Sequence, residues 1–170
     1  VQFNGDADNP AGTGGTDDVD NPNNYILLYS TTGAFNTPSC AVVAAGGVVA
    51  PDIRIPVTSV NYNNGSYIAT LNLSAPLTNA GYYRLFVCGT TSIVLAADPT
   101  IALSGNGAAG TDFIRNFQLA APIGGGGGTT DDGEPRLTVA ALPATGFAPN
   151  RITMLAEQPE DLAYADLGGL

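Results

Sequence analysis

The two segments that flank Asn63-Asn64-Gly65 constrain the fold of this sequence more than any other feature. Apolar and polar residues alternate in both segments, with the period of two that is typical of half-buried β-strands. The apolar residues expected to share a face are Ile53, Ile55, Val57 and Val60 before the turn, and Tyr67, Ala69, Leu71 and Leu73 after it. Asn-Gly readily adopts the positive φ angles of a type I′ turn. We therefore predict a β-hairpin over residues 53–73.

Short apolar segments separated by turn-forming residues recur along the first two-thirds of the chain. We predict further strands at 1–3, 24–30, 81–88, 92–95 and 113–119, and two short strands within 41–50 joined by a turn at Gly46-Gly47. Helical periodicity is almost absent. Short strands at this spacing are typical of a sandwich. We therefore predict an all-β fold, an antiparallel β-sandwich over residues 1–122.

Five consecutive glycines, Gly124–Gly128, separate this domain from a second apolar region. Gly-rich segments behave as flexible linkers, so residues 123–135 are assigned to a linker and 136–170 to an extended C-terminal arm. The apolar residues of its two strand-like stretches are Leu137, Val139 and Ala141, then Ile152 and Met154. A strand without a sheet of its own must pair elsewhere, because unpaired backbone amides and carbonyls are costly away from water. We therefore predict a Gly-linked β-strand arm that is donated to a neighbouring copy of the chain.

The charge balance is strongly acidic, with 15 Asp and Glu residues against five Lys and Arg residues and a net charge of −10. We expect no nucleic-acid partner, because phosphate backbones and this surface would repel each other. The sequence has no lysine, histidine or tryptophan. The usual pairs of nucleophile and base are therefore unavailable, and we expect no enzyme activity. We also expect no membrane insertion by this chain, since it has no apolar run of the length that spans a bilayer.

The sequence contains two cysteines, Cys40 and Cys88. They fit a single disulfide in an oxidising compartment, and the alternative is a pair of buried free thiols. The acidic, lysine-free composition favours an extracellular location as well. Val1 is not an initiator methionine, so we expect a processed form or a fragment of a longer protein.

An acidic loop between residues 4 and 24 contains the candidate metal ligands. They are Asp6, Asp8, Asp17, Asp18 and Asp20. Ca²⁺ takes six to eight oxygen ligands from carboxylates, amide carbonyls and water, so calcium is the expected cofactor. The spacing does not match an EF-hand, and the alternative is a solvated acidic loop. A second, weaker candidate consists of Asp98, Asn106 and Asp112.

Several short segments resemble the bacterial Ig-like domains of large surface proteins, including S-layer-type modules. These segments are Asn61-Tyr62-Asn63-Asn64-Gly65, Ala69-Thr70-Leu71, Gly81-Tyr82-Tyr83-Arg84-Leu85 and Ile93-Val94-Leu95-Ala96-Ala97-Asp98. The resemblance covers roughly residues 1–120. It implies an Ig-like sandwich that serves as a spacer, stalk, adhesin or lattice unit at the bacterial cell surface, without catalysis.

Residues 79–83 resemble the tyrosine corner of such domains, but the cysteine that follows is displaced. Cys88 lies five positions after Tyr83, whereas antibody domains place their second cysteine two positions after the corner tyrosine. We therefore expect the disulfide to tie the loop around Pro38-Ser39 to a central strand, and not to link the two sheets.

The pentapeptide Leu142, Pro143, Ala144, Thr145, Gly146 resembles the sortase signal LPXTG at every fixed position. Such a signal is normally followed by a membrane-spanning stretch and a basic tail, whereas the residues after Gly146 are polar and acidic. Sortase cleavage and a fortuitous motif are the two alternatives. In some bacterial surface proteins a similar segment precedes a further domain.

We therefore expect a non-catalytic extracellular structural protein, a subunit of a filament or surface assembly that is joined by the donated arm. Its expected partners are other copies of itself in a homopolymer. The alternative is a monomeric Ig-like spacer or adhesion module of a larger surface protein, with the arm folded back onto its own sandwich. The strand that the arm pairs with distinguishes the two.

Overall fold

The computed structural model of the protein describes residues 1–9, 15–89 and 93–119, and the backbone of residues 149–151. Its strands are β1 (Gln2–Phe3), β2 (Tyr25–Ser30), β3 (Ile53–Ile55), β4 (Val57–Asn63), β5 (Ile68–Leu73), β6 (Gly81–Val87), β7 (Val94–Leu95), β8 (Asp98–Ala102), β9 (Phe113–Leu119) and β10 (Pro149–Arg151). A short helix, α1 (Cys40–Gly46), and a 3-10 turn, Pro22–Asn24, complete the described elements.

The strands form two four-stranded sheets and a two-stranded ribbon. The first sheet has the order β10-β1-β5-β4, the second has the order β3-β2-β6-β9, and β7 pairs with β8 in the ribbon. All of these pairings are antiparallel. The prediction of an all-β antiparallel fold is confirmed, and the arrangement fits a β-sandwich.

A hydrophobic core lies between the two sheets. Its members include Phe3, Val60 and Ala69 from the first sheet, Leu27, Leu85 and Phe117 from the second, and Ile93 and Leu103 from the ends of the ribbon. Alternate residues of each strand reach this core, as the period of two requires. Both sheets therefore bury one face in a shared interior.

The prediction of two short strands within residues 41–50 is wrong, because this segment contains α1. Ser39 caps the helix, since its side chain accepts a hydrogen bond from the Val42 amide. Gly47, with a φ of 88°, ends it, and glycine tolerates this left-handed conformation best. No helix in the described part of the chain is long and apolar enough to cross a membrane.

Helix α1 covers the outer face of the second sheet and creates a second hydrophobic cluster there. The cluster consists of Ile26, Leu28, Cys40, Val43, Phe86 and Cys88, with Phe35, Val48 and Ile114 at its edge. β2 and β6 are consequently buried on both faces. This explains the uninterrupted apolar run Tyr25-Ile26-Leu27-Leu28, since doubly covered strands do not alternate.

The hairpin of β4 and β5 forms as predicted, but its turn differs from the predicted type. Asn63 pairs with Ile68, so the connection has four residues. The positive φ falls on Tyr67, at 57°, and not on Asn64 or Gly65. The Asn63 side chain accepts hydrogen bonds from the amides of Gly65 and Ser66, and this local bonding favours the longer turn over a two-residue type I′ turn.

The first strand of the predicted hairpin, expected to begin at Ile53 and to include Val60, is two strands in different sheets. β3 pairs with β2 in the second sheet and β4 pairs with β5 in the first. Pro56 lies between them and has no amide proton for a ladder. Ile53 is 57% exposed, so it does not share the buried face of Val60. The sequence pattern also missed β8, which pairs with β7.

Candidate functional site

The structure brings three of the five predicted calcium ligands together. Carboxylate oxygens of Asp8, Asp17 and Asp18 lie within 4.8 Å of one another. Asp8 is held in place by its backbone, because its amide donates to the Val94 carbonyl at 3.0 Å and its carbonyl accepts from the Val19 amide at 2.8 Å. The first of these bonds attaches the acidic loop to β7, and the second joins two parts of the loop to each other. We call the three carboxylates the acidic cluster.

Asp6 and Asp20 lie outside the acidic cluster. Asp6 accepts a hydrogen bond from the Tyr62 hydroxyl at 2.8 Å, and that hydroxyl accepts one from the Ala7 amide at 2.9 Å. A cavity of about 170 Å³ is lined by Asp6 and Asp8 together with Asn9 and Asn64. One carboxylate oxygen of Asp20 is buried and has no hydrogen-bond partner.

The surroundings of Asp8 in the acidic cluster disfavour the charged form of its carboxyl group. Burial raises the pKa of Asp8, and the negative charges of Asp17 and Asp18 raise it further, which outweighs the hydrogen bond from the Asn9 backbone. Asp18 is 1% exposed and accepts a hydrogen bond from the Gly15 amide. A cation would relieve this repulsion, and carboxylate and amide oxygens are the ligands that Ca²⁺ prefers. Calcium binding stays a prediction.

We expect Ca²⁺ to raise the temperature of thermal unfolding, and Asp8→Asn to remove that response. A ligand that binds only the folded state, at 100 times its Kd, adds about 2.7 kcal/mol to the free energy of unfolding. Thermal melts followed by circular dichroism in EDTA and in Ca²⁺ measure the shift. Asp52→Asn is the control, because Asp52 accepts hydrogen bonds from the amides of Asn36 and Thr37 and belongs to neither candidate calcium site. An equal Ca²⁺ shift in all three proteins would contradict the prediction.

The same variant tests the pKa of Asp8 without calcium. Because this pKa is higher in the folded chain than in the unfolded chain, stability falls as the pH rises from the unfolded value to the folded value. In EDTA, acidification into that range should therefore stabilise the wild type more than Asp8→Asn. At neutral pH in EDTA, Asp8→Asn should unfold at a higher temperature than the wild type.

The second predicted calcium site does not assemble around shared ligands. Asp98 accepts hydrogen bonds from the amide and hydroxyl of Thr100, at 3.0 and 2.6 Å. These bonds lower the pKa of the Asp98 carboxyl. Asp112 instead lies in the interior, at the start of β9, where its oxygens accept from the amides of Cys40 and Gly89. Each carboxylate is therefore engaged in a different part of the fold.

The predicted disulfide between Cys40 and Cys88 is confirmed, with a Cα–Cα distance of 5.7 Å. It joins the first residue of α1 to the residue after β6, a central strand of the second sheet. The bond therefore ties the segment after Pro38-Ser39 to a central strand, as expected. A carboxylate oxygen of Asp112 lies within 4.8 Å of both sulfurs. Since both sulfurs are engaged in the disulfide, this trio is not a thiolate metal site.

The described strand nearest the C-terminus, β10, lies at one edge of the first sheet. β10 pairs with β1 of the same chain, with Gln2 opposite Arg151 and Phe3 opposite Pro149. On its other side β1 pairs with β5, where the Phe3 amide donates to the Tyr67 carbonyl and the Ala69 amide to the Val1 carbonyl, both at 2.8 Å. β1 thus has a partner on each side.

The remaining predicted arm residues lie outside the described residues. These are the donor positions Leu137, Val139, Ala141, Ile152 and Met154, the linker 123–135, and the sortase-like residues Leu142, Pro143, Ala144, Thr145 and Gly146. Their roles stay predictions.

Comparison of this chain with protein-family models, with curated proteins and with solved structures finds no match. The fold defines an antiparallel all-β protein with one disulfide. Any function must therefore be argued from its own residues.

Proposed function

We propose that this chain is a non-catalytic extracellular structural module, an Ig-like spacer in which a C-terminal segment, β10, covers the edge of β1 in the first sheet. The observation that carries the proposal is the pairing of β10 with β1 within one chain. An unpaired edge strand is a template for association with other chains, and β10 of the same chain occupies the side of β1 to which another chain could otherwise add a strand. The disulfide supports an extracellular location, because such bonds persist in oxidising compartments.

A tyrosine-corner contact supports the Ig-like type. The Tyr83 hydroxyl of β6 donates a hydrogen bond of 2.6 Å to the carbonyl of Asn79. Ig-like sandwiches have a tyrosine with the same kind of bond to the backbone a few residues upstream. The Tyr83 ring also stacks on Phe117 at a centroid distance of 5.2 Å. This contact fixes the corner that enters β6.

Exposed aromatic residues do not favour a carbohydrate-binding role. Tyr67 and Tyr82 are 38% and 37% exposed. Tyr67 lies in the hairpin turn of the first sheet, whereas Tyr82 belongs to β6 of the second sheet. The two rings therefore do not form a common platform, and a structural role accounts better for the described surface.

A filament or surface-assembly subunit is the second candidate function. The observation that favours it is the position of β10, which occupies an edge and is separated from β9 by residues 120–148. That segment includes the five glycines, and its length would allow β10 to extend to a neighbouring copy. The same edge of a neighbouring copy offers the same hydrogen-bonding groups, so β10 and the arm around it can exchange between copies. The partners would then be other copies in a homopolymer.

We expect the double variant Gln2→Cys, Arg151→Cys to form an additional disulfide within one chain. These residues are registered partners in β1 and β10, and Cα atoms of opposite residues in an antiparallel pair lie about 4.5–5.5 Å apart, which suits a disulfide. Non-reducing gels, peptide mapping and light scattering measure the product across a wide range of protein concentration. Electron microscopy of the wild type looks for filaments.

The outcomes separate the two functions. A cross-linked monomer at all concentrations supports the spacer. A ladder of covalent oligomers together with filaments supports strand donation between copies and contradicts the spacer. The variant with Gln2→Cys alone is the control, since it can form neither product through the β1–β10 pair. If no additional cross-link formed, the pairing of β10 with β1 would be wrong, and both proposed functions would lose their basis.

A further inference from the structure

Asp112 is a buried carboxylate that contacts both halves of the disulfide. It is 6% exposed, and Cys40 and Cys88 are each 1% exposed. One Asp112 oxygen accepts a hydrogen bond of 2.7 Å from the Cys40 amide, and the other accepts one of 3.1 Å from the amide of Gly89, the residue after Cys88. One carboxylate therefore bridges two chain segments that the disulfide also joins.

Two close backbone contacts fix the position of Asp112. A Cβ atom on Gly89 would lie 2.1 Å from the Thr111 carbonyl oxygen, and one on Gly105 would lie 2.0 Å from the Asp112 carbonyl carbon. The backbone of residues 111–112 is therefore enclosed between two glycines. The carboxylate has little freedom to move away from the sulfurs.

We propose that Asp112 protects the Cys40–Cys88 disulfide from reduction by external thiols. This inference goes beyond the structural role proposed above and does not depend on it. It assigns Asp112 as a positioning residue that acts through its charge and through its two hydrogen bonds.

The chemistry of reduction explains why a carboxylate in this position matters. An external thiolate attacks one sulfur, the S–S bond breaks, and its electron pair leaves on the other cysteine sulfur as a thiolate. A second thiolate, from the same dithiol or from a second monothiol molecule, then displaces the first cysteine, so the reductant ends as a disulfide. Both cysteines end as thiols after they take up one proton each. Two electrons pass from the reductant to the protein.

The charge of Asp112 opposes the steps that place a negative charge near it. The departing cysteine thiolate forms on a sulfur that lies within 4.8 Å of the carboxylate in the folded chain, and the incoming thiolate must approach the same pair of sulfurs. Like charges at such distances repel strongly in a partly buried site. A thiolate that is destabilised in this way leaves more slowly.

The hydrogen bonds of Asp112 oppose the opening that reduction requires. Because both sulfurs are buried, an external thiol reaches them only after α1 separates from the end of β6. That separation breaks at least one of the contacts from the Cys40 and Gly89 amides to the Asp112 carboxylate, and the other contact keeps the charge beside one of the cysteines. Charge and hydrogen bonding therefore act in the same direction.

The test compares the reduction rates of Asp112→Asn and Asp52→Asn in excess dithiothreitol. Asp52 is the matched control, because it is also a buried aspartate that accepts two backbone hydrogen bonds, from Asn36 at 3.2 Å and Thr37 at 2.7 Å. Small amounts of urea are added to the more stable variant, so that the two rates are compared at equal free energy of unfolding. We expect Asp112→Asn to be reduced at least about tenfold faster than Asp52→Asn. In strong denaturant the two variants and the wild type should all react at the same rate.

Equal rates for the two variants at equal stability would overturn the proposal, because reduction would then follow unfolding alone. A second measurement on the wild type applies even if Asp112→Asn fails to fold. The measurement is made in about 1 M salt, which shortens the Debye length to about 3 Å. Each reduction rate of the folded protein is divided by the rate for the unfolded chain with the same thiol. The resulting ratio should be higher for a cationic thiol such as cysteamine than for the anionic mercaptoethanesulfonate. No such preference would contradict the role of the Asp112 charge.

Discussion

Replacing Gly105 with alanine is expected to lower the free energy of unfolding by about 3 kcal/mol or more. A Cβ atom at this position would lie 2.0 Å from both the Asp112 carbonyl carbon and the Phe113 amide nitrogen. These are backbone atoms at the start of β9, and no rotation of a side chain can make room. The substitution must therefore displace β9 from β6 or separate Gly105 from Thr111. Urea unfolding followed by circular dichroism measures the loss.

Gly46→Ala is the control for this prediction. Gly46 is the last residue of α1, and an added Cβ atom would have no neighbour within 4 Å. Alanine has the higher helix propensity, by up to about 1 kcal/mol, so Gly46→Ala should be neutral or slightly stabilising. If both variants changed stability by the same small amount, the close approach at Gly105 would be wrong.

Replacing both cysteines with alanine is expected to lower the free energy of unfolding by about 4 kcal/mol. The bond closes a loop with a sequence separation of 48, and a cross-link of this length removes much of the conformational freedom of the unfolded chain. It also holds α1 against the second sheet, so its loss should weaken the cluster around Phe86. Urea unfolding of Cys40→Ala, Cys88→Ala against the wild type measures the difference.

Reduced wild-type protein is the companion measurement for the disulfide. It keeps both sulfur atoms in the core but lacks the cross-link, so its stability should lie within about 1 kcal/mol of the double variant. A loss below about 1 kcal/mol in both would mean that the loop is already constrained in the unfolded chain, and the prediction would be wrong.

The strands with strong local patterns were predictable from the sequence. The alternation from Ser66 to Leu73 and the run Tyr25–Ser30 mark β5 and β2 without any knowledge of their neighbours. Side chains in such segments have only two faces, so periodicity carries the information. The pairing of the cysteines was predictable for a simpler reason, since two cysteines allow only one bond.

The features that depend on distant contacts were not predictable. α1 is short and rich in alanine and valine, and its stability comes from the Ser39 cap, the disulfide and the sheet beneath it. Asp112 accepts a hydrogen bond from an amide 72 positions away, and no local pattern reports such a contact. The acidic loop combines a predictable and an unpredictable feature. The sequence indicated a cluster of aspartates, but only the fold shows that Asp8, Asp17 and Asp18 lie together.

The disulfide also changes how the protein would respond to mechanical tension. A force applied across the two ends of the chain passes through the Cys40–Cys88 bond and bypasses the loop that contains α1 and β3 to β6. An extended chain spans at most about 3.5 Å per residue, so the disulfide prevents roughly 170 Å of contour length from being extended by the force. Under load the chain outside the loop can unfold and extend, whereas the β4–β5 hairpin and β6 remain within the loop that the disulfide closes. As a spacer, the protein would be a link with a built-in limit to its extension.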